Sequence, residues 1–183
     1  MIKKDRVMIF IDGSNLYHIL KNAYKSSKRL FDFNFDRFIK GIIKDRNLIR
    51  VYYYTAPLDR EKDEGTYIKQ QKFFEKLRKI PNFKLVLCRM QKVKIDGEVI
   101  YQVKEDDIHL AVDMVKLAYN NAYDSAILIS SDGDFVPAVQ AVQEVGKKVE
   151  NIGFENKFSY HLKQECDCFN KLIKSFLDNC FIN

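Results

Sequence analysis

The chain has 183 residues, 46% of them hydrophobic, which is enough to bury one substantial core and reads as a single domain over residues 1–183. It holds 31 basic against 25 acidic side chains, a formal charge of +6, a mild excess that fits an anionic polymer as partner without requiring one. No apolar run approaches the roughly 18 residues of a membrane span, and residues 1–6 lead into a strand with no signal-type apolar stretch, so a membrane partner is excluded and a cytoplasmic protein is expected.

The first element is an apolar strand that ends in Ile11-Asp12-Gly13-Ser14-Asn15, and residues 13–24 after it read as a helix. A second amphipathic helix over 35–43 places Phe35, Phe38, Ile39 and Ile42 on one stripe. Residues 48–55, with Tyr52-Tyr53-Tyr54, form the second strand and stop at Ala56-Pro57; a helix over 65–79 follows, ended by Pro81-Asn82, and then a third strand over 83–89.

Residues 91–104 break this alternation. Lys92, Val93, Lys94 and Ile95 alternate up to Asp96-Gly97, a hairpin signal. Its plain role is to cover a sheet edge; its functional one is a basic lip in which Lys92, Lys94 and Lys104 hold a phosphate backbone.

A long helix over 106–120 comes next. With its apolar face set by Ile108, Ala111, Val115 and Ala118, Asp113 lies nearly opposite that stripe, as an ordinary solvated residue would. Asp106 shares the face of Asp113, seven residues on, while Asp107 is turned about 120° away. Helical arithmetic alone therefore pairs Asp106 with Asp113.

A fourth strand over 127–131 runs into Ser130-Ser131-Asp132-Gly133-Asp134. A helix over 135–145 tolerates Pro137 in its first turn, residues 146–154 form a fifth strand, and 160–177 read as a C-terminal helix, within an extension over 155–183 beyond a core of about 7–154. Strands alternating with helices make a parallel sheet in a Rossmann-like three-layer α/β/α sandwich, with the hairpin and the C-terminal helix as additions.

In such a sheet the first and fourth strands deliver Asp12 and Asp132 into one crevice at their carboxyl ends. Either aspartate alone serves equally well as a helix cap. Together they repel unless a cation sits between them, and oxygen ligands point to a hard divalent ion, Mg²⁺ or Mn²⁺, serving phosphate chemistry. Cys88, Cys166, Cys168 and Cys180 include no second pair at zinc spacing, and reduced thiols are expected.

Asp12-Gly13-Ser14-Asn15, the run from Lys104 through Asp107 to Asp113-Met114, the run 119–124, and Ile129-Ser130-Ser131-Asp132-Gly133-Asp134-Phe135 with Gly146-Lys147 together resemble the NYN domain proteins, PIN-like nucleases of the LabA/DUF88 type. The resemblance implies a PIN-like fold and a metal-dependent ribonuclease. It makes Asp12, Asp113 and Asp132 the metal-centred acids, Asp134 a supporting acid, Asn15 a polar partner and Asp107 the acid at the head of the long helix, in place of the Asp106 favoured by helical arithmetic. The expected activity is hydrolysis of phosphodiester bonds in single-stranded RNA; a homo-oligomer is left open. Two other classes fit part of the pattern. One is a non-catalytic RNA-binding or regulatory module of the same fold. The other is a HAD-like phosphohydrolase, which carries a second Asp where Ser14 stands.

Overall fold

The computed structural model describes residues 4–25, 27–95 and 98–181. Its six-stranded sheet is built from β1 (Arg6–Asp12), β2 (Asn47–Thr55), β3 (Phe83–Leu87), β6 (Ser125–Ile129), β7 (Lys148–Phe154) and β8 (Cys168–Leu172). Every pairing is parallel and the spatial order is β3-β2-β1-β6-β7-β8. The chain starts in the middle, works outward to β3, then returns to the other side of β1, so the order reverses between β1 and β6. Open sheets of this kind bind ligands at the carboxyl ends of the strands flanking that reversal.

Strand pleating sends alternate residues to opposite faces and makes two cores. Val7, Ile9 and Ile11 of β1, with Val51 and Tyr53 of β2, pack against α1 (Gly13–Tyr24), α2 (Phe35–Ile43), α3 (Glu64–Arg78) and α7 (Lys174–Asp178). Met8, Phe10, Tyr52 and Tyr54 pack on the opposite face against α4 (Asp106–Tyr119), α5 (Val136–Glu144) and α6 (Tyr160–Glu165). Two buried faces explain why the strands read as near-continuous apolar runs. Among the described residues no helix is long and apolar enough to cross a membrane.

Three expectations need correction. The stretch 160–177 is not one helix: α6 stops at Glu165, Cys168–Leu172 forms β8 beside β7, and α7 closes the chain across α2, where Phe176 meets Gly41. The sheet therefore has six strands rather than five. The hairpin, β4 (Arg89–Ile95) and β5 (Glu98–Lys104), is a separate two-stranded antiparallel sheet and, among the described residues, pairs with no edge of the main one; its turn at Asp96-Gly97 lies outside the described residues. Finally, α4 buries Asp106, Leu110, Met114 and Ala118, while Ile108 and Val112 stand in the open at 68% and 56% exposure. Apolar residues surround most of this helix, so its periodicity alone did not fix which stripe packs.

Candidate metal centre

The site is assembled where β1 and β6 end. Asp12 closes β1 and caps α1: its Oδ1 accepts from the Asn15 backbone N–H at 2.8 Å, satisfying a donor that the helix start leaves free. Its Oδ2 accepts from the Ser130 hydroxyl at 2.9 Å. Gly13 is required at the next position, because a Cβ there would run into the Tyr54 carbonyl oxygen and the Tyr53 ring. That close approach draws α1 down on β2 and leaves the Asp12 carboxylate 5% exposed.

The facing turn is tied to the first one. Asn15 Oδ1 accepts from the Ser131 N–H at 3.2 Å, and Ser130 Oγ, while donating to Asp12, accepts from the Asp132 N–H at 3.1 Å. Behind them the buried Asn151 of β7 donates through Nδ2 to the carbonyls of Leu128 at 3.1 Å and Ser130 at 3.0 Å. Asn15 thus fastens two chain segments more than a hundred residues apart.

Helix α4 supplies the remaining acids. Glu105 precedes it in the left-handed region, φ 75°, which turns the chain sharply from β5 into the helix. Asp106 and Asp107 then occupy the first turn, where the helix dipole favours negative charge. Ser14 donates to Asp106 Oδ2 at 3.0 Å. One carboxylate oxygen from each of Asp12, Asp106 and Asp107 lies within 4.8 Å of the others. All donors are hard oxygens, the set that suits Mg²⁺ or Mn²⁺.

The electrostatics match this crowding. Burial pushes the Asp12 carboxyl up to about 6 against the pull of its bonds from Asn15 and Ser130, with Asp107 and Asp106 adding repulsion. Asp107 is also raised to about 6, first by burial and then by the charges of Asp106, Asp132 and Asp134. Among the described residues no ion pair reaches Asp12, Asp106 or Asp107, and such a cluster favours protons or a metal ion over empty ionised oxygens.

Against this geometry the sequence-derived residues divide. Asp12, Asp107 and Asn15 sit in the centre. Asp132 is half-buried at the rim and accepts from the Asp134 N–H at 3.0 Å, while Asp134 is exposed; both reach the site through their effect on Asp107. Asp113 does not join the three-carboxylate group: two turns down α4, beside buried Met114, it accepts from the Tyr54 hydroxyl at 3.0 Å. Asp106 takes the place given to it. Helical arithmetic points to Asp106 and the resemblance to Asp107; the carboxylate group contains both. Of the basic lip, Lys92 is paired with Asp59 at 2.7 Å and lies 3.5 Å from Glu61, Lys104 is exposed at the end of β5, and the Lys94 side chain is outside the described residues.

Comparison with known proteins adds a family to this geometry. The sequence profile of the NYN domain matches residues 6–173. Over 70 residues the chain is 37% identical to an uncharacterized protein of Methanocaldococcus jannaschii, a match spanning 38% of this chain and 29% of that one. It is 24% identical over 184 residues to the Low amplitude and bright protein LabA of Synechococcus elongatus, covering 96% of this chain and 89% of the relative. A crystal structure of a protein of unknown function from Vibrio parahaemolyticus superposes with a TM-score of 0.73 at 25% identity, over 97% of this chain and 98% of that one.

Proposed function

The chain belongs to the NYN domain family, a family of PIN-like nucleases, and on that premise we propose that it is a metal-dependent ribonuclease that hydrolyses phosphodiester bonds of single-stranded RNA. One observation carries the reading: three carboxylates, Asp12, Asp106 and Asp107, share a space within 4.8 Å at the reversal point of the sheet. Their oxygens fit Mg²⁺ or Mn²⁺, and Asp12, Asp106 and Asp107 would hold it. Such an ion, when bound, offsets charge on the phosphate oxygens and makes water nucleophilic near neutral pH.

The chain's own groups do the positioning. Asn15 and Ser130 fix the two Asp12 oxygens, and Ser14 fixes Asp106, so two of the three acids are held before any ligand arrives. Asp107, the more exposed acid and raised to about 6, can exchange a proton near neutral pH. Asp132 and Asp134 form an acidic rim on the open side. A splayed single strand can lower one phosphate into a crevice at the strand ends, where a stiff duplex enters less easily. A HAD-like route finds no support, since the hydroxyl of Ser14, at the position of the second acid, is committed to Asp106.

The test is cleavage of a varied set of unstructured RNAs by the purified chain in Mn²⁺ or Mg²⁺, with EDTA and Asp12→Asn as controls. Cleavage in metal that both controls abolish is the expected result. Tight RNA binding without cleavage in any metal would instead make the protein a binding module of the same fold.

A further inference from the structure

On the side of the sheet away from α4 lies a second charged surface of opposite sign. A groove of about 290 Å³ opens between α3 and the loop that joins α1 to α2, lined by Arg29, Phe31, Asp32, Lys69, Lys72, Phe73 and Lys76. Four cations and one acid face it. Lys69, Lys72 and Lys76 fall at i, i+3 and i+7, one stripe of the helix, and all three are exposed. Among the described residues none of these four cations forms an ion pair.

A stripe of like charge destabilises a helix slightly, and only Lys76, in the last turn, is favoured by the helix dipole. Lys69, which also attracts Asp63 at the helix start, and Lys72 gain nothing from the dipole, and Arg29 joins them from outside the helix. Their convergence is accounted for by a polyanion. The floor is aromatic: Phe31 is half-buried, with its ring 5.6 Å from that of Phe73, a surface on which a base can lie. The lysines span about 10 Å of helix axis, at about 1.5 Å per residue, room for a few consecutive phosphates. Because β2 and β3 are parallel, α3 descends from the carboxyl edge of the sheet, where Asp12 lies, toward the amino edge. The stripe therefore leads away from the acidic crevice.

We infer that the groove formed by Arg29, Phe31, Lys69, Lys72 and Lys76 is an exosite that holds the backbone of a single-stranded RNA at a distance from the acids, so that a strand long enough to reach both is held better than one that reaches the acids alone. The inference rests on the ribonuclease reading for its ligand. The groove supplies affinity without sequence selection, since flexible lysines and a stacking ring read no base edge. It also explains how a crevice rimmed by acids retains a polyanion.

The test uses the full chain in EDTA, so that binding is measured without cleavage, with labelled unstructured RNAs of about 8 and about 30 nucleotides across a salt series. Lys69→Ala/Lys72→Ala/Lys76→Ala should weaken the long RNA at least about tenfold and reduce its salt slope by about two units, at about 0.7 per phosphate contact, and should weaken the short one too, since the groove takes only a few nucleotides. The Lys→Arg triple variant should restore both, and an unchanged melting temperature checks folding. If the Ala variant keeps wild-type affinity and slope while the wild type cleaves RNA in Mn²⁺, the exosite is refuted and the nuclease stands. If the variant loses long-RNA binding while the wild type cleaves nothing, the exosite stands and the nuclease reading falls. Inorganic polyphosphate or a nucleoside triphosphate that binds the groove as tightly as the long RNA would assign it to small polyanions and overturn the strand assignment.

Discussion

The two edges of the sheet treat carboxylates in opposite ways. At the amino edge Asp124 receives Arg6 through its Nε at 3.1 Å, its Nη2 at 2.7 Å and its backbone N–H at 3.0 Å, and this guanidinium pairing holds the carboxyl at about 2. At the carboxyl edge Asp12 and Asp107 have no such partner, and burial carries both to about 6. A compensated acid ties strands together. An uncompensated cluster at the strand ends costs stability, and such a cost is retained where it serves a ligand.

The largest effect that sharpens this contrast comes from removing the central acid. Asp12→Asn should lower single-turnover RNA cleavage by at least about 10³-fold, on the scale of losing a principal electrostatic group, and should remove Mn²⁺ binding in calorimetry. The same substitution should raise the melting temperature of the metal-free protein at pH 8, because it deletes a buried, repelled charge while one amide oxygen still accepts from the Asn15 N–H and the hydroxyl of Ser130 can accept from the new amide. Asp124→Asn should do the reverse, costing about 1–2 kcal/mol of stability and leaving Mn²⁺ affinity unchanged. A metal-free Asp12→Asn protein that melts lower than wild type would remove the distinction between the two edges.

Next in size is the choice of acids along α4. Asp106→Asn should weaken Mn²⁺ binding about tenfold or more, whereas Asp113→Asn should change it by less than about twofold and act on packing through the Tyr54 hydroxyl. Equal losses from the two would mean that the acids gather differently when the ion is present.

Titration gives a third, smaller test. In the metal-free protein Asp12 and Asp107 keep their protons up to about pH 6, whereas in the unfolded chain they ionise near 3.8. The folded state therefore binds more protons between these values, and these two groups make stability fall as pH rises through that window. Asp124 has the opposite sign: its contribution is present above about 3.8 and is lost as pH falls toward 2. Mn²⁺ competes with the protons, so its stabilising effect should be slight at pH 5 and grow through pH 6 to 7, as melting curves with and without the ion will show. A metal-induced shift that is flat from pH 5 to 8 would place the ion away from Asp12 and Asp107.

The core strands were legible because they are apolar on both faces and bounded by turn residues, α1 because it follows the Asp12 turn, and α2 because Phe35, Phe38, Ile39 and Ile42 mark one buried stripe. β8 was not. Cys-Phe-Asn-Lys-Leu has no β-rich composition, it is an edge strand with much of its surface exposed, and its own Phe169 with Leu162 before it and Phe176 after it mimics a helical period. In the site, Asp12 and the facing Ser130–Asp132 turn followed from topology. The Asp106 to Asp113 relation did not, because side chains of adjacent residues at the helix start can converge on one space, which a reading by helical angle alone does not register.

The smallest expected effect concerns the hairpin. The sequence makes Lys92, Lys94 and Lys104 a basic lip, but Lys92 is bound to Asp59 and close to Glu61, and its ammonium lies 5.7 Å from the Tyr101 ring. That pairing lowers the Asp59 carboxyl and raises Lys92, the signature of a cation already engaged. With Lys92 half exposed the pair contributes little to stability, yet an RNA phosphate would have to replace it at no net gain of charge. Lys92→Ala should therefore change long-RNA affinity by less than about twofold and leave the salt slope within about half a unit, while Lys104→Ala, with its ammonium exposed beside the start of α4, should remove up to about 0.7. Asp59→Ala sharpens the point: freeing Lys92 should strengthen RNA binding if the hairpin lies on the strand's path. No change in binding on freeing Lys92 would take the hairpin off the RNA path and leave the groove beside α3 as the principal basic surface.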